Sequence, residues 1–295
     1  MLNAQDLASS ADEIDPELTR KIQQRIESFD GRVGIYVRHL KKGNTVAINA
    51  GELFPTASMI KVPIMAKIFD KVEKSEFSYD QTFKYDGQHD YVHEVDLINT
   101  SKTGTEVPLK KLLLLMTSFS DNTASLWLQH LAGGGSTINE WLETNGYAKL
   151  RVNSRTEGRE ESFKMYGWGQ TTPREICRLM LEIYRGQVVS EAASEEMYRL
   201  LSKSFFYGEA LSQVPPTVNV ASKQGAVSDS RSEVLLVNAP SGDYLFCLIT
   251  DGQIDKSWEY DNAGFVLLRD VSRIIWKYFE PKSDWEAKSD KPKYW

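Results

Sequence analysis

The strand-forming segments of this chain sit at its two ends, and that separation most limits what it can fold into. Residues 32–40 (RVGIYVRHL) and 44–49 read as two strands joined by a Lys41-Lys42-Gly43-Asn44 connector. Strand character returns only at 218–227, 232–238 and 244–250, with turns at Asp229-Ser230 and Pro240-Ser241-Gly242. The interval between them is mainly helical by period, with candidate helices at 58–74, 108–117, 121–132, 137–145, 173–185 and 191–201. Two more helices flank the strands. One is 16–29, where Leu18, Ile22, Ile26 and Phe29 recur at spacings of three and four, and the other is 261–279.

This order predicts an α/β (α+β) domain over residues 16–280. The two ends build one antiparallel sheet flanked by helices, a sheet lobe of 16–54 and 203–280. Residues 55–202 insert as an all-α lobe, and a site between the lobes is a natural place for a ligand. Residues 1–15 and 281–295 are expected as tails.

Charge and composition exclude several functions. A formal net charge of −6 argues against a nucleic-acid binder, yet allows a local basic pocket for an anionic substrate. The apolar run at 112–116 is far short of the roughly 20 residues a membrane-spanning helix needs. Residues 1–15 lack the basic start and apolar stretch of a signal peptide. Cys177 and Cys247 fall in no metal-ligand spacing and are expected as buried free thiols. His89 and His93, in the run DGQHDYVHEVD, fit no standard ligand set, so no metal is expected.

Three short motifs carry possible chemistry. In FPTASMIKVP (54–63), Ser58 fits the N-cap of a helix, and Pro63 fits near a helix start. Lys61 then follows one turn on, on the same face. A serine hydroxyl needs a base to become a nucleophile, and a partly desolvated amine can serve. A helix N-terminus also offers N–H groups to a developing oxyanion. Alone, a cap serine and a surface lysine would look the same. Ser120-Asp121-Asn122 precedes another helix. There Ser120 can relay a proton to a leaving amine, Asn122 can bond a substrate amide and Lys61, and Asp121 braces the loop. Lys223-Gln224-Gly225 lies in a strand, with Lys223 and Gly225 on one face. A glycine there lets substrate backbone approach, and a lysine offers charge to a carboxylate.

Ser-x-x-Lys, then Ser-Asp-Asn, then Lys-x-Gly on a late strand is the signature set of class A β-lactamases and penicillin-binding proteins. The chain resembles the class A β-lactamase family from about residue 16 to 280, with similar intervals between the motifs. The literal Lys102-Thr103-Gly104 is set aside: it precedes Ser-Asp-Asn and lies in a polar loop.

The resemblance implies a serine hydrolase that opens a β-lactam through an acyl-enzyme on Ser58. Lys61, or Glu157 through a water, deprotonates Ser58. The backbone N–H groups of Ser58 and Ala226 hold the oxyanion, and Ser120 protonates the leaving nitrogen. Lys223, with Gln224, Gly225, Asn122 and Arg231, binds substrate, and Glu157 activates the deacylating water. No cofactor or metal is implied. The partner is a small molecule, a β-lactam or a D-Ala-type peptide, with no nucleic acid and no membrane span. A monomer in the periplasm or secreted is expected.

The resemblance is imperfect in the loop at 155–173. The family's E-x-x-L-N run is replaced by Glu157-Gly158-Arg159-Glu160-Glu161, and Gly169 stands where an aspartate is expected before Thr-Thr-Pro. The loop must be held differently, with Tyr166 and Trp168 as candidates. Gln224 replaces the family's threonine or serine. A D,D-peptidase, transpeptidase or esterase on the same scaffold, or a sensor acylated without turnover, therefore stays open.

Overall fold

A computed structural model describes residues 13–92 and 96–288. Asp15 accepts a hydrogen bond from the Leu18 N–H and caps α1 (Pro16–Ile26), whose first residue is proline. The helix ends short of Phe29. Strands β1 (Arg32–His39) and β2 (Thr45–Ile48) form the first hairpin, and β8 (Val220–Val227), β9 (Ser230–Val237) and β10 (Tyr244–Asp251) form the late group. They join in one antiparallel sheet, ordered β2-β1-β10-β9-β8.

Helices cover both faces of this sheet, so its central strands are buried almost throughout rather than alternating. Leu235, Val237, Phe246 and Leu248 pack with α1 and the last helix, α9 (Ala263–Phe279). Val234, Leu236, Leu245 and Ile249 point the other way, into a core shared with the helical block. Helix α7 (Pro173–Tyr184) lies on that inner face, against β1, β9 and β10. Cys177 of α7 and Cys247 of β10 are buried free thiols. Burial, and then a hydrogen bond with Cys177, push the Cys247 thiol well up.

The helical block holds α2 (Lys61–Glu73), α3 (Leu109–Ser118), α4 (Asn122–Leu131), α5 (Gly134–Thr144) and α8 (Glu191–Leu201). It also holds strand elements that the period does not predict. β3 (Phe54–Pro55), β6 (Arg151–Val152) and β7 (Gly169–Thr171) form a small sheet, and β4 (Thr82–Lys84) pairs with β5 (Glu106–Pro108). Strands of two or three residues are too short to show a period. The expected loop at 155–173 contains a short helix, α6 (Glu160–Tyr166), with no buried residue and so no apolar stripe to betray it. Among the described residues, no helix is long and apolar enough to cross a membrane.

Candidate active site

The backbone turns sharply before Ser58. Ala57 has φ 44°, a left-handed conformation that a non-glycine residue seldom adopts. A 3-10 turn, Ala57–Ile60, then runs directly into α2. This corrects the expectation that Ser58 caps the helix. Thr56 is the N-cap of the turn and Ile60 that of α2, and Ser58 lies inside the turn, in the wall of the cleft. Pro63 is the third residue of α2, where a missing N–H costs nothing.

Lys61 is fully buried. Its Nζ donates to the Ser120 carbonyl, to Ser120 Oγ at 3.0 Å and to Asn122 Oδ1 at 2.7 Å. The Trp168 ring centroid lies 6.0 Å from the same nitrogen. The expected contact between Asn122 and Lys61 is present.

Ser120 sits in a second left-handed turn, φ 55°. Asp121 caps α4 through the Ala124 N–H at 2.7 Å and also accepts from the Ile98 N–H at 3.1 Å, so it braces the loop as expected. Sequence reasoning missed Asp96. Its carboxylate accepts from the N–H of Asn122, the N–H of Thr123 and the Thr123 hydroxyl. Three such bonds fix the first turn of α4 and hence the Asn122 amide. The only signal was an acidic residue in the polar run that carries the histidines. Of those, His89 stacks on His130 with centroids 4.3 Å apart, and His93 lies outside the described residues.

Lys223 arrives from the sheet. Register pairs Lys223 with Val234 and Gly225 with Ser232, so both face the inner side of the sheet. Lys223 Nζ donates to Ser120 Oγ at 3.1 Å, to the Gln224 carbonyl at 3.0 Å and to Gln224 Oε1 at 3.1 Å. Burial first, and then the charge of Lys61, hold its pKa well below the ordinary lysine range. An ammonium has three donors, and here all three are occupied.

Gly225 explains how β8 reaches the nucleophile. A Cβ on it would stand 2.8 Å from the Ser58 nitrogen and 2.7 Å from the Thr56 carbonyl oxygen. Only glycine allows two backbones this close. The closeness also brings Ala226, next along β8, beside the Ser58 turn. Ser58, Ser120, Asn122, Gln224, Gly225 and Ala226 line one cleft of about 660 Å³.

Two expected residues do not join it. Arg231 pairs with Ala226 on the outer side of the sheet. Its guanidinium donates to the carbonyls of Val227, Ser230 and Ser257 and lies between the rings of Trp258 and Phe265. It ties the β8–β9 hairpin to the Ser257 segment, behind two rings that line the cleft, and Ser232 occupies the inner position beside it. Glu157 is exposed and is not among the cleft-lining residues. The preceding Thr156 is buried against Gly135 of α5, where a Cβ would collide with the Thr156 hydroxyl. With Thr156 turned inward, Glu157 turns out. Its placement gives no support to water activation.

The loop is fastened by Arg159, which sequence reasoning did not single out. Arg159 donates to Asn153 Oδ1 at 2.8 Å and to Gln170 Oε1 at 2.6 Å. Trp168, one of the two aromatics expected to hold the loop, accepts the N–H groups of Asn153 and Ser154 at its carbonyl and meets Tyr91 edge-on. Lys102-Thr103-Gly104 lies in the turn before β5, away from the sheet that carries Lys223.

Glu209 lines the cleft and Glu233 lies nearby; both are buried, and one oxygen of each has no hydrogen-bond partner among the described residues. Burial, and then the neighbouring Glu209, push the Glu233 carboxyl well above the usual range.

Comparisons with known proteins find relatives along most of the chain. The β-lactamase VEB-1 of Pseudomonas aeruginosa is 21% identical over 272 residues, 89% of this chain and 90% of its own. The solved structure of PBP-A has the same fold, with a TM-score of 0.81 at 22% identity over 92% of this chain and 98% of that one. A point mutant of PBP-A, solved as an acyl-enzyme complex with penicillin G, superposes with a TM-score of 0.81 at 21% identity, over 92% of this chain and 100% of that one. The family model described as the β-lactamase enzyme family matches residues 17–279, and the chain belongs to that family.

Proposed function

We propose that the protein is a serine β-lactamase whose nucleophile is Ser58. One observation carries this reading. Lys61 and Lys223 both donate to Ser120 Oγ, at 3.0 and 3.1 Å, in a cleft that Ser58 also lines. A hydroxyl that accepts two hydrogen bonds has its lone pairs in use, so its own proton is free to point into the cleft.

The proposed steps are these. The Ser58 hydroxyl proton passes to a neutral Lys61, and Oγ forms a bond to the lactam carbonyl carbon. The N–H groups of Ser58 and Ala226 hold the oxyanion, a contribution of roughly 10²–10³ per donor in rate. The C–N bond then breaks, and the nitrogen takes the Ser120 proton, which Lys61 returns. Water next attacks the ester carbon, the bond from that carbon to Ser58 Oγ breaks, and a proton of the water passes to Ser58 Oγ. Asn122 orients the acyl amide. Lys223 supports Ser120, and it meets a substrate carboxylate only when the Gln224 amide swings away.

The exposed Glu157 favours a second reading, in which water is poorly activated and the acyl-enzyme persists. That outcome describes a D,D-peptidase, transpeptidase or esterase on this scaffold, or a sensor acylated once. The substrate class under the first reading is a β-lactam, and a D-Ala-type peptide under the second. A monomer acting in the periplasm or outside the cell fits both.

The test is an intact-mass time course with a penicillin and a cephalosporin, run beside Ser58→Ala. Transient mass on Ser58 with product over many turnovers is expected. A stable adduct selects the second reading, and full hydrolysis by Ser58→Ala would overturn both.

A further inference from the structure

We propose that the leaving-group half of the cleft is an aromatic subsite, built to take a flat apolar substituent of the acyl donor. The proposal rests on the reading of Ser58 as nucleophile and Ser120 as proton donor, because those roles orient the substrate. The departing nitrogen must lie at Ser120, so whatever hangs from it falls on the Ser120 side.

That side is lined with rings. Phe119 immediately precedes Ser120, and its ring stacks on Phe205 with centroids 5.0 Å apart and planes 26° apart. Phe205 meets Phe206 edge-on at 5.4 Å. The segment is pinned by the Phe205 N–H, which donates to the Ser118 carbonyl at 3.0 Å, at the end of α3. Tyr207 and Trp258 complete the wall, and all five rings line the same cleft as Ser58. They are far from buried: Phe205 is 58% exposed, Tyr207 64% and Trp258 59%. Isolated exposed apolar residues need no explanation, but five aromatic rings converging on a reactive centre form a binding surface.

The charges nearby argue the same way. The Lys223 ammonium spends its three protons on Ser120 and Gln224. The Arg231 guanidinium lies behind the Trp258 ring, 4.6 Å from its centroid, and donates to the Ser230 and Ser257 carbonyls. The carboxylates of Asp96 and Glu209 also line the cleft. This half therefore offers mainly stacking faces, and the Arg231 guanidinium sits behind one of them, the Trp258 ring.

The test uses two cephalosporins with the same thienylacetyl side chain. Nitrocefin carries an aryl-vinyl group on the leaving half, and cephalothin a small acetoxymethyl group. The acylation rate constant per concentration is read for each with the wild type, Phe205→Ala and Phe206→Ala. Thermal melting of each variant checks that the fold survives. The expected result is a loss of about tenfold for nitrocefin, the worth of one aromatic contact, with cephalothin changed less than about twofold. Equal losses for both substrates, or none for either, would overturn the subsite.

If the wild type is acylated by neither cephalosporin, the β-lactamase reading fails, and the subsite is judged on esters instead. Phenyl and ethyl phenylacetate share an acyl group and differ only in the leaving group. A preference for the phenyl ester that falls about tenfold in Phe205→Ala supports the subsite, and an unchanged preference rejects it.

Discussion

The ammonium of Lys223 lies 3.1 Å from the hydroxyl oxygen of Ser120, joining the last third of the sequence to the start of α4 across the cleft. Lys61 reaches the same oxygen from below at 3.0 Å. Ser120→Ala is expected to remove the proton donor and leave the buried Lys61 and Lys223 side chains facing each other. Acylation should slow by about 10²–10⁴, the usual span for a lost general acid. Stopped-flow acylation with a penicillin reads this. A change under about threefold would mean that the leaving nitrogen takes its proton elsewhere.

Gly225→Ala is expected to abolish most activity by pushing β8 away from the Ser58 turn. The new Cβ would meet backbone atoms under 3.0 Å away, so the strand must shift. Overpacking of this kind costs about 1–3 kcal/mol of stability. A melting curve beside kcat/KM tests both effects, and a variant with wild-type values would remove the argument for a close approach.

Gln224→Ser should free one donor on Lys223, the one now given to Gln224 Oε1, for a substrate carboxylate. A charge-assisted hydrogen bond is worth about 1.5–3 kcal/mol, so KM for carboxylate-bearing β-lactams should fall by about tenfold or more. An unchanged KM would mean that the Gln224 side chain never competes with substrate.

Glu157→Gln is expected to change the deacylation rate by less than about twofold, as befits an exposed side chain. Rapid-quench measurement of the acyl-enzyme decides it. A loss of about a hundredfold would show that the loop moves and brings Glu157 to the ester. Arg159→Ala should instead strip two buried amide oxygens of their donor, at a cost of about 1–3 kcal/mol.

Asp255 links acidity to the ring wall. Its carboxylate accepts the Ala263 N–H at the start of α9 and the N–H of Ser257, next to Trp258. The Ala263 bond first, with Ser257 second, lowers its pKa to about 2. A carboxylate with a depressed folded pKa stabilises the fold above its unfolded pKa, and that contribution fades as pH falls through the folded one. Asp255→Asn should therefore melt lower than the wild type at about pH 6, and the gap should close as pH falls from about 4 to about 2. A gap constant with pH would assign the loss to shape rather than charge.

Much of this is legible in the sequence because periodicity and motif order point the same way. The strands at both ends pair as expected, and Lys223 and Gly225 share a face because strand period is two. The face of Arg231 follows from the same rule, since it pairs with Ala226 rather than Gly225, but register across a hairpin is not visible until the turn length is known. Ser58 reads as a cap, and is not one, because a 3-10 turn precedes α2 and the left-handed backbone at Ala57 leaves no mark in an alanine. Asp96 and Arg159 act through distant backbone and amide groups, which no local pattern encodes.

The clasp made by Arg159 has neutral amides as its partners, Asn153 and Gln170. An ion pair in that place would loosen in brine and open in acid as its carboxylate took a proton. Asparagine and glutamine have nothing to titrate, and short contacts to a half-buried guanidinium feel dissolved ions weakly. The loop beside the cleft should thus keep its shape in briny or sour surroundings, and its closure becomes a fixed part of the scaffold rather than a response to the medium.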